Sequence, residues 1–157
     1  MGFLDIQGQS NQDHSGSLQN VEEARLGLGL AMALILVGVR DVLVISPYRA
    51  QAASAVNLLG TLWPTAGQVP RVQSVDESHG CEADAVVILL ARDRGSPGIL
   101  RSVKRATLAT SRARYLQYFV GSWAWASGEE VRKDSKDFHS LLMKFQQNIP
   151  SFMIMSE

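Results

Sequence analysis

Val42-Leu43-Val44-Ile45-Ser46 and, further on, Ala85-Val86-Val87-Ile88-Leu89-Leu90 are short apolar runs bounded by turn residues, the pattern of strands buried on both faces. Around them the chain alternates between the two periodicities. A helix is expected from about Asn20, a second from about Arg49 to Leu62, a strand near Arg71 to Val75, a basic helix near Ser102 to Ala113, and a further strand over Tyr115 to Val120. Gly121-Ser122 then turns the chain towards Trp123 and Trp125, and Asp137 to Gln147 reads as an amphipathic closing helix. This alternation predicts an α/β fold with a mostly parallel, helix-covered sheet.

Length and composition set the frame. The 157 residues make one domain with enough apolar content for a sizeable core. Lys plus Arg and Asp plus Glu stand at 15 each, so no whole-chain field holds nucleic acid and any such contact must come from a local patch. The lone Cys81 excludes an internal disulfide and a Cys-rich zinc site, and predicts an intracellular compartment, cytoplasm or nucleus. The apolar stretch between Arg25 and Arg40 is shorter than the roughly twenty residues a bilayer demands, so it predicts a core helix, apolar on nearly every side, and no membrane. Residues 1–19, rich in Gln, Ser, Gly, Asn and Asp without periodicity, are expected as a flexible lead-in. The body then spans 20–126, and 127–157 holds a charged loop, the amphipathic helix and a tail. Within it, Ser127 to Ser135 reads as a loop or mobile linker. No internal repeat is present.

In parallel sheets, ligands sit at the carboxyl ends of the strands, and three clusters are expected there. The first is Ser46-Pro47-Tyr48-Arg49-Ala50-Gln51. The second is Ser74-Val75-Asp76-Glu77-Ser78-His79-Gly80-Cys81-Glu82-Ala83-Asp84. The third is the basic run Lys104-Arg105-Ala106-Thr107-Leu108-Ala109-Thr110-Ser111-Arg112-Ala113-Arg114, where a planar guanidinium near the helix end is suited to phosphate oxygens. The plainer reading of this last run is a solvated basic helix face.

In this order the clusters resemble the second RecA-like motor domain of superfamily 1 helicases, in the group that includes the nonsense-mediated-decay helicase and the flap-processing nuclease-helicases. The resemblance covers about Ser17 to Ser122. It rests on Asn20-Val21-Glu22-Glu23-Ala24, on Ile45 to Gln51, on Ser74, Val75, Asp76, Gly80, Glu82 and Asp84, on the strand Val86 to Arg92, and on Gly98-Ile99-Leu100 followed by Lys104-Arg105 to Arg114. It implies a three-layer RecA-like fold. Arg112 is then the arginine finger that reaches a triphosphate held by another domain. Glu82 accepts from the ribose hydroxyls, and Tyr48, Arg49, Gln51 and Arg105 line the nucleotide cleft. Ser74, Ser78, His79 and Gly80 meet the backbone of a single strand, RNA or DNA. Solvated charges, a turn glycine and an ordinary helix start remain the competing readings at these positions.

Several residues depart from the family pattern: His79 replaces the glutamine before the glycine, Cys81 replaces a position often basic, Thr107 replaces an asparagine, and Thr110-Ser111 precedes the finger. His79 beside Cys81 does not make a nucleophile and base, because nothing places an orienting third group. Asp76-Glu77 does not make a magnesium element, for no Gly-x-x-x-x-Gly-Lys-Ser/Thr loop occurs anywhere in the chain. A metal site from Asp76, Glu77, His79 and Glu82 is set aside in favour of solvated carboxylates. The tryptophans are expected to pack, their alternation burying one and exposing the other. Two readings follow from the resemblance. In the first, the chain is a carboxyl-terminal motor domain, inactive alone, that shares ATP and Mg2+ with an amino-terminal motor domain in cis or in trans and needs no cofactor by itself. In the second, it is a non-catalytic relic that binds nucleic acid or protein. An unrelated small hydrolase or flavodoxin-like binder has little support.

Overall fold

The sheet is built wholly from parallel pairs. In this computed structural model, which describes residues 1–148 and 153–156, the chain forms β1 (Gly2–Asp5), β2 (Asn11–Gln12), β3 (Leu18–Gln19), α1 (Val21–Leu36), β4 (Val42–Ser46), α2 (Arg49–Leu62), β5 (Arg71–Ser74), β6 (Ala83–Leu89), α3 (Val103–Thr110), β7 (Ala113–Gly121), α4 (Trp123–Ala126), α5 (Glu129–Asp134), α6 (Lys136–Asn148) and β8 (Met153–Ser156). Among the described residues the main sheet has six strands in the order β5-β4-β6-β7-β1-β8. All its neighbouring pairs are parallel. β2 and β3 form a separate antiparallel hairpin, its turn tied by Asp13 Oδ1, which accepts from the Ser15 and Ser17 amides at 2.8 and 2.9 Å.

Strand alternation divides the core into two layers. Val42, Val44, Ala85, Val87 and Leu89 face α1 and α2, where Ala24, Leu28, Ala31 and Ala55 cover them. Leu43, Ile45, Val86, Ile88 and Phe119 face the other way, against Ala106 and Ala109 of α3, Val131 of α5, and Phe138 and Leu142 of α6. The result is the three-layer α/β RecA-like arrangement expected from the sequence. α1 starts where Asn20 caps it, its Oδ1 accepting from the Glu23 amide at 3.1 Å. It stops at Gly38, whose φ of 103° is open to glycine and strained for other residues.

α1 lies close on the sheet because residue 27 is glycine. A Cβ there would run into the buried Leu89 side chain. Gly27→Leu is therefore expected to destabilise the fold by about 1–3 kcal/mol through overpacking, seen as a lower urea midpoint with an unchanged m value.

Four details differ from the sequence reading. Residues 1–19 are not a free lead-in, because β1 lies between β7 and β8. Phe3 is fully buried, stacked on Phe119 at 6.1 Å and edge-on to Trp123 at 5.0 Å. A four-residue strand is too short to show a period, so only its neighbours reveal it. Second, α5 occupies the expected linker. Its acids Glu129 and Glu130 stand at the start, Arg132 and Lys133 at the end, and Val131 is fully buried beneath, so polarity here reflects the helix dipole and not mobility. Third, the tryptophans pack as expected, with Trp125 buried and Trp123 half-buried against Phe3, but they do so on the helix α4, where Trp125 donates through Nε1 to the Gly95 carbonyl at 2.8 Å. Fourth, α1 is covered on one face only, and Leu36 at its end is 83% exposed. The expected tail contributes β8 beside β1. Residues 149–152 and 157 lie outside the described residues. Among the described residues, no helix is long and apolar enough to cross a membrane.

Candidate nucleotide and nucleic-acid faces

A parallel sheet has two chemically different edges, and the candidate residues divide between them. Glu82 precedes β6 and Arg112 precedes β7, so both lie at the amino edge, where Ala83 pairs with Ala113. Tyr48 follows β4 and lies at the carboxyl edge. A single mouth shared by Tyr48, Gln51, Glu82 and Arg112 therefore does not exist. Each crossover carries the chain from the carboxyl edge back to the amino edge, so motif residues at the end of a crossover arrive on the opposite side from those at its start.

At the amino edge, Arg112 Nη1 donates to the Cys81 carbonyl at 3.3 Å and Nη2 to Ser111 Oγ at 3.1 Å. The Ala83 amide donates back to the Arg112 carbonyl at 3.0 Å, which fixes the finger candidate beside Glu82. No ion pair engages Arg112 among the described residues, and its Nε is buried without a partner. An orphan donor of this kind costs about 1–3 kcal/mol, and an anion that drew the side chain outward would relieve it. Two other arginines of this edge, Arg114 and Arg71, are occupied. Arg114 meets Asp84 at 3.2 Å, Glu82 at 3.5 Å and Asp41 at 3.7 Å. Arg71 meets Asp41 at 2.8 Å and the Glu82 carbonyl at 2.9 Å.

Arg105 stands apart from this group. It grips Asp76 through two bonds of 3.0 and 3.2 Å, and the guanidinium holds the Asp76 carboxyl below its ordinary range. The pair lines a groove of about 200 Å³ with His79, Ser102, Lys104 and Leu108. Ser74 and Ser78 do not present hydroxyls to a ligand. Ser74 is buried and its Oγ accepts from the Glu77 amide at 3.3 Å, while Ser78 is fully buried and donates to the Val75 carbonyl at 2.7 Å. Gly80, at a φ of 75°, and His79 remain exposed on the turn that follows.

The carboxyl edge contains a buried polar knot. Gln51 is fully buried: its Oε1 accepts from the Asn20 amide at 2.7 Å, and its Nε2 donates to the Asn20 carbonyl at 3.0 Å and to Glu23 Oε1 at 3.3 Å. Glu23 Oε1 also accepts from the Ala91 amide at 2.6 Å. Burial pushes the Glu23 carboxyl up to about 8. Both ends of the Gln51 amide are thus engaged inside the domain. Gln51→Ala is expected to cost about 1–3 kcal/mol in thermal or urea denaturation, by stranding its buried partners. Tyr48 is likewise buried, with its ring 5.6 Å from the Arg92 guanidinium and its Oη accepting from Arg92 Nε at 2.8 Å. Arg49 alone of its segment is exposed.

Glu23 and Arg92 are polar positions at this edge that the sequence reading passed over, although both lie inside segments it quoted. A carboxylate facing the sheet one turn into an otherwise small and apolar helix was the available signal.

The profile of a protein family described as an AAA domain, a helicase carboxyl-terminal-like domain of superfamily 1 helicases, matches residues 1–124. The chain belongs to that family. The match begins at residue 1, in accord with β1 being part of the sheet. This helicase-family domain is also similar to the 5'-3' DNA helicase ZGRF1 of Mus musculus, with 31% identity over 124 residues, covering 76% of this chain and 7% of that protein. The domain thus spans a small fraction of that relative's length.

Proposed function

We propose that the chain is the second motor domain of a DNA helicase, whose Arg112 reaches across a cleft to the nucleotide bound by a first motor domain. The observation that carries this reading is the state of Arg112: it stands at the amino edge beside Glu82, no carboxylate among the described residues holds it, and its Nε is a buried orphan donor. Glu82 supplies an acceptor for ribose hydroxyls. In this reading the phosphate loop, absent from this sequence, and the carboxylates for Mg2+ are supplied by the partner domain. The similarity to a 5'-3' DNA helicase supports DNA as the strand and 5'-3' as the direction.

The test mixes this chain with a first motor domain of the same family and measures ATP turnover with and without single-stranded DNA. The motor reading expects turnover that needs both polypeptides. A second reading, a binding module without turnover, draws on the Cys81 carbonyl and Ser111 hydroxyl that restrain Arg112. DNA binding without turnover in the mixture would select it.

A further inference from the structure

Arg92 is positioned as a fixed, unspent cation on the edge opposite Arg112. Its Nε donates to Tyr48 Oη at 2.8 Å and its guanidinium lies over the Tyr48 ring at 5.6 Å. Tyr48 is itself buried and directed by the Pro97 carbonyl, to which its hydroxyl donates at 3.4 Å. Neither terminal nitrogen of Arg92 makes a hydrogen bond or an ion pair among the described residues, and the residue is only partly buried. Gly95 and Gly98, at φ of 74° and 56°, keep the space around them open; a Cβ on Gly98 would come within 3.0 Å of Nη2.

The backbone behind Arg92 is held in an uncommon shape. Ala91 has a φ of 62°, a left-handed conformation that costs a non-glycine residue on the order of 1 kcal/mol, and the 2.6 Å bond from its amide to Glu23 retains it there. This turn carries the chain off β6 and over Tyr48. The place is also a topological switch point, since β4 is followed by α2 on one face of the sheet and the neighbouring β6 by α3 on the other. The neighbouring acid Asp93 is already engaged by Ser10 at 2.6 Å and Arg94 at 3.8 Å.

We propose that Arg92, braced by Tyr48, binds a backbone phosphate of single-stranded nucleic acid at the carboxyl edge. This rests on the motor reading for its choice of ligand. A guanidinium suits the task because its planar fork takes two oxygens of one phosphate, and a braced one loses little freedom on binding. Phosphate contacts of this kind fix register without reading sequence. The strand then runs along one edge of the sheet while the nucleotide is met at the other.

The experiment is a titration of the intact chain with a fluorescent oligothymidylate over a range of NaCl concentrations. Arg92→Gln is expected to weaken binding on the order of tenfold and to make the log K against log salt slope shallower by roughly 0.7, one phosphate on a single strand. Tyr48→Phe, which keeps the ring and removes the hydroxyl, is expected to give a smaller loss of the same kind. Arg71→Ala, an equal change of charge at the amino edge, is expected to leave affinity and slope as they are. Arg92→Gln with wild-type affinity and slope overturns the proposal, and so does an intact chain that binds no oligonucleotide. Inorganic phosphate that displaces the strand better than chloride of equal ionic strength marks a free-phosphate site and overturns the nucleic-acid assignment. None of these results decides the motor reading, which the two-domain turnover assay tests separately.

Discussion

Arg112→Ala is expected to reduce DNA-stimulated ATP turnover in the two-domain mixture by on the order of 10³, the scale of arginine fingers elsewhere, with little change in stability. The two effects separate for a structural reason. Among the described residues the side chain makes two bonds, to the Cys81 carbonyl and to Ser111, and leaves Nε buried and unpaired. Removing it loses those bonds and also the orphan donor, so the unfolding free energy from urea titration should change by no more than the roughly 0.5 kcal/mol of an ordinary surface change. Arg112→Lys keeps the charge and loses the fork, and is expected to recover only a small part of the rate. The neighbouring arginines supply the control. Arg114 has three carboxylates within ion-pair reach and Arg71 is held by Asp41, so neither is free to cross a cleft. If Arg114→Ala abolished turnover while Arg112→Ala preserved it, the assignment of the finger would be wrong.

The opposite placement of Arg112 and Tyr48 shows what a sequence pattern carries and what it does not. The strand Val42–Ser46 and the helix Arg49–Leu62 have the limits that periodicity and turn residues indicate. The central strands were legible because each must be apolar on both faces. β1 was not, because its burial comes from lying between β7 and β8, a partnership that no local window contains. α5 was not, because a single buried residue, Val131, fastens it. For the site, residue type was informative and role was not. Asn20, Glu23 and Gln51 stand in two motif segments that were read as a helix start and a nucleotide contact, and the structure shows them bonded to one another. A motif restricts a position equally whether its partner is a ligand or another buried side chain. Ser74 and Ser78 teach the same lesson, their hydroxyls being spent inside a turn. Glu82 and Arg112 stayed credible since both precede strands at the same edge.

The buried Glu23 makes folding itself sensitive to pH. An unfolded chain releases this proton near the ordinary carboxyl value of 4.5, whereas in the folded domain burial holds the carboxyl up to about 8, against the opposing effect of the bonds from Ala91 and Gln51. Between those values the folded state carries a proton that the unfolded state has lost. Stability from this group is therefore fully present below the unfolded value and falls as pH rises towards the folded one, by up to about 1.4 kcal/mol per pH unit. Asp76 and Glu77 work in the opposite sense: Arg105 lowers the first, and hydrogen bonds with Ser74 lower the second, so their contributions are lost as pH falls into the acid range. Urea unfolding followed from about pH 5 to about pH 8 should show wild-type stability declining across the interval, while Glu23→Gln, which retains a carbonyl oxygen for the Ala91 amide, should flatten the profile and exceed wild type at its alkaline end. Parallel profiles for the two proteins would show that Glu23 is not the titrating group.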